Sequence, residues 1–280
     1  MARYWKPIIA AAALSALTAN VLAEQIPRDE VAFTEFVAAQ LRRQPLDGQA
    51  VAVKGPLTLK VGELQANLDR VFNFCRADAG ACQEEIDRYA QGVAQVVKDM
   101  NAPPQKEAVR LAVRPLSYVQ QLTANGKPAQ TWPLTKDLVI VPVLDSPRTT
   151  RSLSEGDFKK LGLNADQVYQ LGQANLNATL KPLMQQAQVA KRGQIGQVAG
   201  DAYDSSRLAL HDSWAPLAQA QGGVLIVAAP ARDAVFYVGE DTPRAIDALR
   251  TLVTDLIRKV PNPLSTELLR WTKTGWEPVR

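Results

Sequence analysis

The chain has 280 residues, 46% apolar and 21% charged, with a formal net charge of +4. Ordinary apolar content and a small net charge exclude an intrinsically disordered chain, and 16 Gly with 18 Pro exclude a collagen-like or low-complexity one. One His and two Cys cannot build a multi-His or four-Cys zinc site, so no metal and no cofactor is expected.

Arg3 and Lys6 precede an apolar run from Ile8 to Leu22, and Val21-Leu22-Ala23 ends it with small or modest side chains. That is the three-part pattern of a secretory signal peptide over residues 1–23. The run is shorter than the roughly 20 residues of a membrane span, and Asn20 interrupts it. An uncleaved N-terminal anchor is the alternative. Cleavage after Ala23 predicts a soluble, periplasmic or secreted product with no stable membrane insertion. It removes two basic and no acidic residues, leaving 30 basic against 28 acidic. So even a balance gives no reason to expect nucleic acid as a partner.

Asp29 is placed to cap a helix carrying Val31, Phe33, Phe36, Val37 and Leu41, ended by Pro45 and Gly48. AVAVKGPLTLKVG alternates on either side of Gly55-Pro56, which predicts two strands or one bent strand. Leu64, Leu68, Val71, Phe72 and Cys75 then form one helical stripe, and Ile86, Tyr89, Ala90, Val93, Val97 and Met100 a second. The two helices make a hairpin that turns at Gly80. In an oxidising compartment Cys75 and Cys82 are predicted to staple it with a structural disulfide. The loop so closed, about eight residues, contributes roughly 2.5 kcal/mol of chain entropy. Free thiols or a redox pair are the alternatives, although redox pairs usually stand two residues apart, not six.

Pro115 opposes a long helix between 103 and 118. ANGKPAQ is a turn, dividing a helix-rich N-terminal region (24–124) from an α+β region (131–280). DLVIVPVL reads as a buried strand, with Pro142 placing it at an edge or a bend. SPRTTRSLSEGD is a polar loop leading into a helix, and Asn164 caps a second helix. SSRLALHD reads as a strand, SWAPLAQA as a short helix, and GVLIVAAP and AVFYVGE as two strands. Thr242-Pro243 opens a strong helix stopped by Pro261 and Pro263, and LLRWTKTGWEPV closes the chain as a strand or hairpin. Strands joined by a link as short as Ala231-Arg232-Asp233 must be antiparallel. The fold class is therefore α+β, with helices covering a mostly antiparallel C-terminal sheet.

Two stretches, VPVLDSPRTTRSLSEGDFKKLGLNADQVYQLGQANLNATL and VLIVAAPARDAVFYVGEDTPRAIDALRTLV followed by NPLSTELLRWTKTGWE, resemble the YtpQ-like bacterial family, a domain of unknown function. The shared pattern is a strand, a polar loop and a helix carrying Ala174-Asn175-Leu176. A turn with Pro230, Arg232 and Asp233 follows, and then Pro263-Leu264-Ser265 leading to Trp271. The resemblance covers about two thirds of the expected mature chain. It implies the same α+β fold and brings no activity or catalytic residue. The export signal and the cysteine pair are departures from the family.

No G-x-x-x-x-G-K-[ST] occurs, and Gly193, Gly196 and Gly200 are wrongly spaced for a dinucleotide turn, so that stretch reads as a flexible connection. A serine triad would have to use His211, whose neighbours Asp212 and Ser213 are adjacent in sequence and poorly placed to face it. A surface or capping histidine is the favoured reading. Trp214, Trp271 and Trp276 are better read as packing residues than as a sugar platform.

The candidate ligand-binding residues are arginines. Arg148 and Arg151, with Asp145, lie in a polar loop after a strand and suit an anion. Arg232 and Asp233 either fix their turn by a local ion pair or present a guanidinium fork to a carboxylate. Together these features predict a non-enzymatic binding or interaction protein of the cell envelope. Its partner is an envelope protein or a small anionic ligand. The alternative is a metal-independent hydrolase of an envelope polymer, using an acidic pair or His211. A redox protein using the two cysteines is a third.

Overall fold

The Asp29 carboxylate accepts from the N–H groups of Val31 (3.1 Å) and Ala32 (2.9 Å). It thereby caps α1 (Glu30–Arg42), whose Phe33, Phe36, Val37 and Leu41 are buried as their spacing predicts. The computed structural model describes residues 26–124, 126, 128–146, 149–260 and 263–279. The expected signal peptide and Arg148 lie outside the described residues. The fold is α+β, and the chain divides into two units, Met1–Ala94 and Gln95–Arg280. The boundary expected at ANGKPAQ falls inside the second unit.

The first unit is mixed, not purely helical. After α1 comes an antiparallel meander of β1 (Val51–Gly55), β2 (Thr58–Val61) and β3 (Leu64–Asn67). The expected two strands around Gly55-Pro56 are β1 and β2. Thr34 ties the tip of their turn to α1, its hydroxyl accepting from the Leu57 N–H at 2.8 Å. Leu64, expected to open a helix, instead opens β3. Pairing of Thr58 with Asn67 and of Val61 with Leu64 extends the backbone there, so ladder hydrogen bonds override a local helical period. The helix α2 (Asp69–Ala77) starts one turn later, and α3 (Cys82–Asn101) follows after Gly80. Phe72 of α2 meets Phe33 of α1 edge-on, with centroids 5.1 Å apart.

In the second unit two antiparallel sheets share one core. One holds β4 (Val109–Pro115), β5 (Trp132–Pro133), β6 (Leu138–Asp145) and β7 (Thr150–Ser152), with β6 central. The other holds β8 (Gly196–Ala199), β9 (Ile226–Ala231), β10 (Ala234–Val238), β11 (Leu268–Thr272) and β12 (Gly275–Pro278), in the order β12-β11-β9-β10-β8. Leu111, Val113, Leu208, Trp214, Val227 and Tyr237 belong to the core between them. The connecting helices are α4 (Leu116–Ala124), α5 (Glu155–Leu161), α6 (Ala165–Thr179), α7 (Leu183–Gln186), α8 (Ala215–Ala220) and α9 (Pro243–Ile257). Leu249 and Val253 of α9 cover the far side of the second sheet against Ile226, Ala228 and Leu268. Gly172 of α6 lets that helix lie directly on β4, where a Cβ would come within 3.2 Å of the Arg110 backbone.

Three local expectations change. Pro142 lies in a central strand, tolerated because its carbonyl accepts from Leu153 on the side where β5 has ended and β7 not yet begun. Its missing N–H points into that same gap. Residues 204–209 form a 3-10 turn and 211–214 another, in place of a strand. A buried Asp204–Arg207 pair three residues apart draws the backbone into the tighter helix. The stretch around Gly196, expected to be a flexible connection, is strand β8 paired with β10.

Candidate functional site

Strand alternation puts Arg110, Ala112 and Arg114 on one face of β4, beside Val139, Val141 and Val143 of β6. Arg114 is only 7% exposed. After Pro115 the chain turns into α4, whose first turn sets the Tyr118 ring beside the Arg114 guanidinium, 5.9 Å from the centroid. One guanidinium nitrogen donates to the Val113 carbonyl at 2.9 Å.

A second arginine approaches from the other sheet. The Ser205 N–H donates to the Arg232 carbonyl at 3.0 Å, and the Val113 N–H donates to the Ser206 hydroxyl at 3.1 Å. Two consecutive serines thus stitch the β9–β10 turn to the residue preceding Arg114, along the edge of β4 that pairs with no strand. The Arg232 Nε is buried without a hydrogen-bond partner. Among the described residues neither arginine pairs with a carboxylate. Burial holds the Arg114 pKa down to about 10; the Arg232 charge adds to this, and Tyr118 and Tyr203 oppose it. At neutral pH the guanidinium therefore remains charged.

Two tyrosines complete the setting. Tyr203 packs on Ala112, Val139, Val141 and Val143, and its hydroxyl is buried beside Thr150 and Asp145. Burial pushes its pKa up; the Thr150 hydroxyl opposes this, the Asp145 carboxylate adds to it by charge and hydrogen bond, and the Arg114 charge opposes it. The hydroxyls of Tyr118 and Ser152 share a hydrogen bond of 2.9 Å, and the Thr150 hydroxyl donates to Asp145 at 3.1 Å. A nearly buried, charged guanidinium at Arg114 and the unpartnered Nε of Arg232 are donors of the kind an oxyanion accepts from.

The other expected site residues have different surroundings. Arg151 meets Asp157 at 2.7 and 2.9 Å in a bidentate pair. The same carboxylate accepts from the Ser154 N–H at 2.9 Å in the capping box of α5. Burial alone would raise the Asp157 pKa, but the bonds from Arg151 and Ser154 prevail and hold it at about 2. Asp233 is exposed, and no ion pair joins it to Arg232. Cys75 and Cys82 form the expected disulfide, with Cα atoms 4.6 Å apart.

His211 neither caps a helix nor lies open on the surface. Its ring stacks on Trp271 at 5.5 Å and meets Trp276 edge-on at 5.6 Å. Nδ1 faces Asp212 at 3.1 Å, whereas Nε2 is buried without a partner. The Ser213 hydroxyl donates to the Leu210 carbonyl at 2.6 Å. The tryptophans pack, as expected: Trp214 is fully buried, and the indole N–H of Trp276 donates to Leu208 at 2.9 Å. Near this cluster a groove of about 290 Å³ runs between α6 and the 211–214 turn, lined by Gln170, Gln173, Asn177, Asp212 and Ser213. Among the described residues no group of three or more His, Cys, Asp or Glu could hold a metal ion, and no helix is long and apolar enough to cross a membrane.

Arg114, Tyr118 and Tyr203 were not singled out by the sequence. The available signal was RLAVR, in which Arg110 and Arg114 occupy one face of an alternating apolar strand. A charge at such a position is either solvated at an edge or kept for a partner. No family model, curated protein or solved structure matches this chain.

Proposed function

We propose that this chain is an exported, non-enzymatic binding protein of the cell envelope that holds a small anionic ligand between Arg114 and Arg232. One observation carries the reading: Arg114 is 7% exposed on a strand that Ser205 and Ser206 join to the Arg232 turn, with no carboxylate paired to either arginine among the described residues. A buried cation next to a like charge is costly, and a bound oxyanion relieves that cost while satisfying the open N–H groups. Export is supported by the Cys75–Cys82 disulfide, which suits an oxidising compartment.

Membership of the YtpQ-like family belongs to the same proposal. Its motif segments are neighbours in space: Ala231 bridges Pro263, and the Leu264 N–H donates to Pro230 at 2.9 Å beside Arg232. Asn175 of the helical motif donates to the carbonyls of Lys106 (2.8 Å) and Val109 (3.0 Å), anchoring the start of β4. These segments frame the arginine pair and support a binding site there.

Calorimetric titration with succinate and phosphate tests the reading. Saturable binding is expected in the wild type, weakened on the order of tenfold or more by Arg114→Gln and by Arg232→Gln. Absence of binding, or binding unchanged in both variants, would refute it.

A further inference from the structure

We infer that the groove between α6 and the 211–214 turn binds an uncharged saccharide two pyranose rings long, a ligand separate from the anion proposed above. Val168, Gly172 and Leu176 form the buried face of α6. Gln170, Gln173, Ala174 and Asn177, at i, i+3, i+4 and i+7, form another face, which is one wall of the groove. Among the described residues the Gln170 and Asn177 amides take no hydrogen bond, and Gln173 takes one, a long bond of 3.4 Å to the Ala209 carbonyl. Three amides, each with donors and an acceptor, are thus left to a ligand. The opposite wall is Leu210, Asp212 and Ser213. Asp212 Oδ1 faces His211 Nδ1 at 3.1 Å, and among the described residues Oδ2 meets no donor. The Ser213 hydroxyl gives its proton to the Leu210 carbonyl, so towards a ligand it accepts.

These groups select the ligand's chemistry. Every polar group of the lining can accept, and only the amides can donate, so the ligand must bring many donors of its own. A peptide offers one N–H per residue, whereas a sugar offers several hydroxyls per ring. Asp212 is the one charged residue of the lining among those described, which disfavours an anion. Ala174 and Leu210 give the C–H edge of a ring an apolar contact. From Gln170 to Asn177 the helix rises about 10 Å, the length of a disaccharide. The second wall is also fixed in advance. The indole N–H groups of Trp214, Trp276 and Trp271 donate to the carbonyls of Arg207, Leu208 and His211 at 2.8, 2.9 and 3.2 Å. The tryptophans thus brace the wall from behind, which lowers the ordering cost of binding.

Calorimetric titration of the purified protein with maltose, cellobiose and N,N′-diacetylchitobiose, each to about 10 mM, tests this. At least one of the three is expected to bind saturably. Asp212→Asn should weaken that binding about tenfold. Gln170→Ala and Asn177→Ala, both at exposed positions, should each weaken it about threefold or more, with melting temperatures at the wild-type value. No binding by any of the three sugars overturns the inference. So does sugar binding that is unchanged in all three variants, which would put the sugar elsewhere. Spermidine binding that is lost in Asp212→Asn, with no sugar bound, would make the groove a cation site and overturn it as well.

Discussion

The Arg207 guanidinium meets the Asp204 carboxylate at 3.1 Å with side chains 3% and 0% exposed. The pair is embedded in a network: Arg207 also donates to the Lys181 carbonyl at 2.9 Å and to the Gln186 side chain, and Asp204 accepts from the Asp201 N–H at 2.9 Å. It holds the 3-10 turn from which Ser205 and Ser206 reach Arg232 and Val113. The strand of Arg114 and the turn of Arg232 are therefore joined through a segment held by a buried ion pair.

Removing one partner of that pair should be expensive, because the other is left charged and dry. Arg207→Ala is expected to lower the free energy of urea unfolding by about 3–5 kcal/mol. Arg207→Lys should recover only part of this, since a single ammonium cannot reproduce the guanidinium's spread of donors. A loss below about 1 kcal/mol in Arg207→Ala would show that the network is not holding the turn.

The buried Arg114 charge should cost stability until an anion arrives. In low-salt buffer free of multivalent anions, Arg114→Met is expected to melt at or above the wild-type temperature. Added succinate should raise the wild-type Tm by mass action and leave that of Arg114→Met unchanged. Chloride at matched ionic strength controls for screening. Equal Tm shifts in the two proteins would place the anion elsewhere.

Asp157 supplies a pH dependence with a definite sign. Its folded pKa of about 2 lies below the value near 3.9 of an unfolded carboxyl. Its contribution is complete above the unfolded value and is lost as pH falls from about 4 through 2. With Arg151 partly open to water, this is about 1–2 kcal/mol. Asp157→Asn should flatten the rise of unfolding free energy between pH 2 and 5, measured by urea titrations across that range. An unaltered slope would show that the pair is already broken in the folded state.

Replacing Cys75 and Cys82 together by Ser is expected to cost about 2–3 kcal/mol, through the freedom the unfolded chain regains. Succinate affinity should be unchanged. Loss of that affinity at temperatures where the variant is still folded would tie the cysteines to function instead.

Gly196 faces the ring of Tyr237, where an added Cβ would overlap the ring atoms. Tyr237 is fully buried and its hydroxyl donates to the Gln188 carbonyl, so it has little room to yield. Gly196→Ala is expected to destabilise by about 1–3 kcal/mol in chemical denaturation. A neutral result would mean that β8 can leave the sheet edge at little cost.

Features that depend on neighbours in sequence were legible from the start. Asp29, Asn164 and Thr242 each cap the helix expected of them, because a cap needs only a short side chain and the N–H two or three residues ahead. The β9–β10 pair and the disulfide-closed hairpin were equally readable, since their links are too short for other arrangements. Leu64 and Ser205–Leu208 depart from expectation although their partners are near in sequence: Leu64 pairs with Val61 across a tight turn and Arg207 with Asp204, and a hydrophobic period registers neither ladder pairing nor an ion pair.

The site divides along the same line. Arg232 was recognised because a charged residue in a tight turn between apolar strands is conspicuous. Arg114, 118 residues earlier, gained meaning only when Ser205 and Ser206 joined its strand to that turn. By itself the sequence determined the α+β class, the capped helices, the cysteine staple and one candidate arginine, all consequences of short-range spacing. Tertiary structure alone decided that Arg114 is buried and that the Arg232 turn is joined to its strand. The proximity of like charges and the burial of a side chain depend on which distant segments pack against each other.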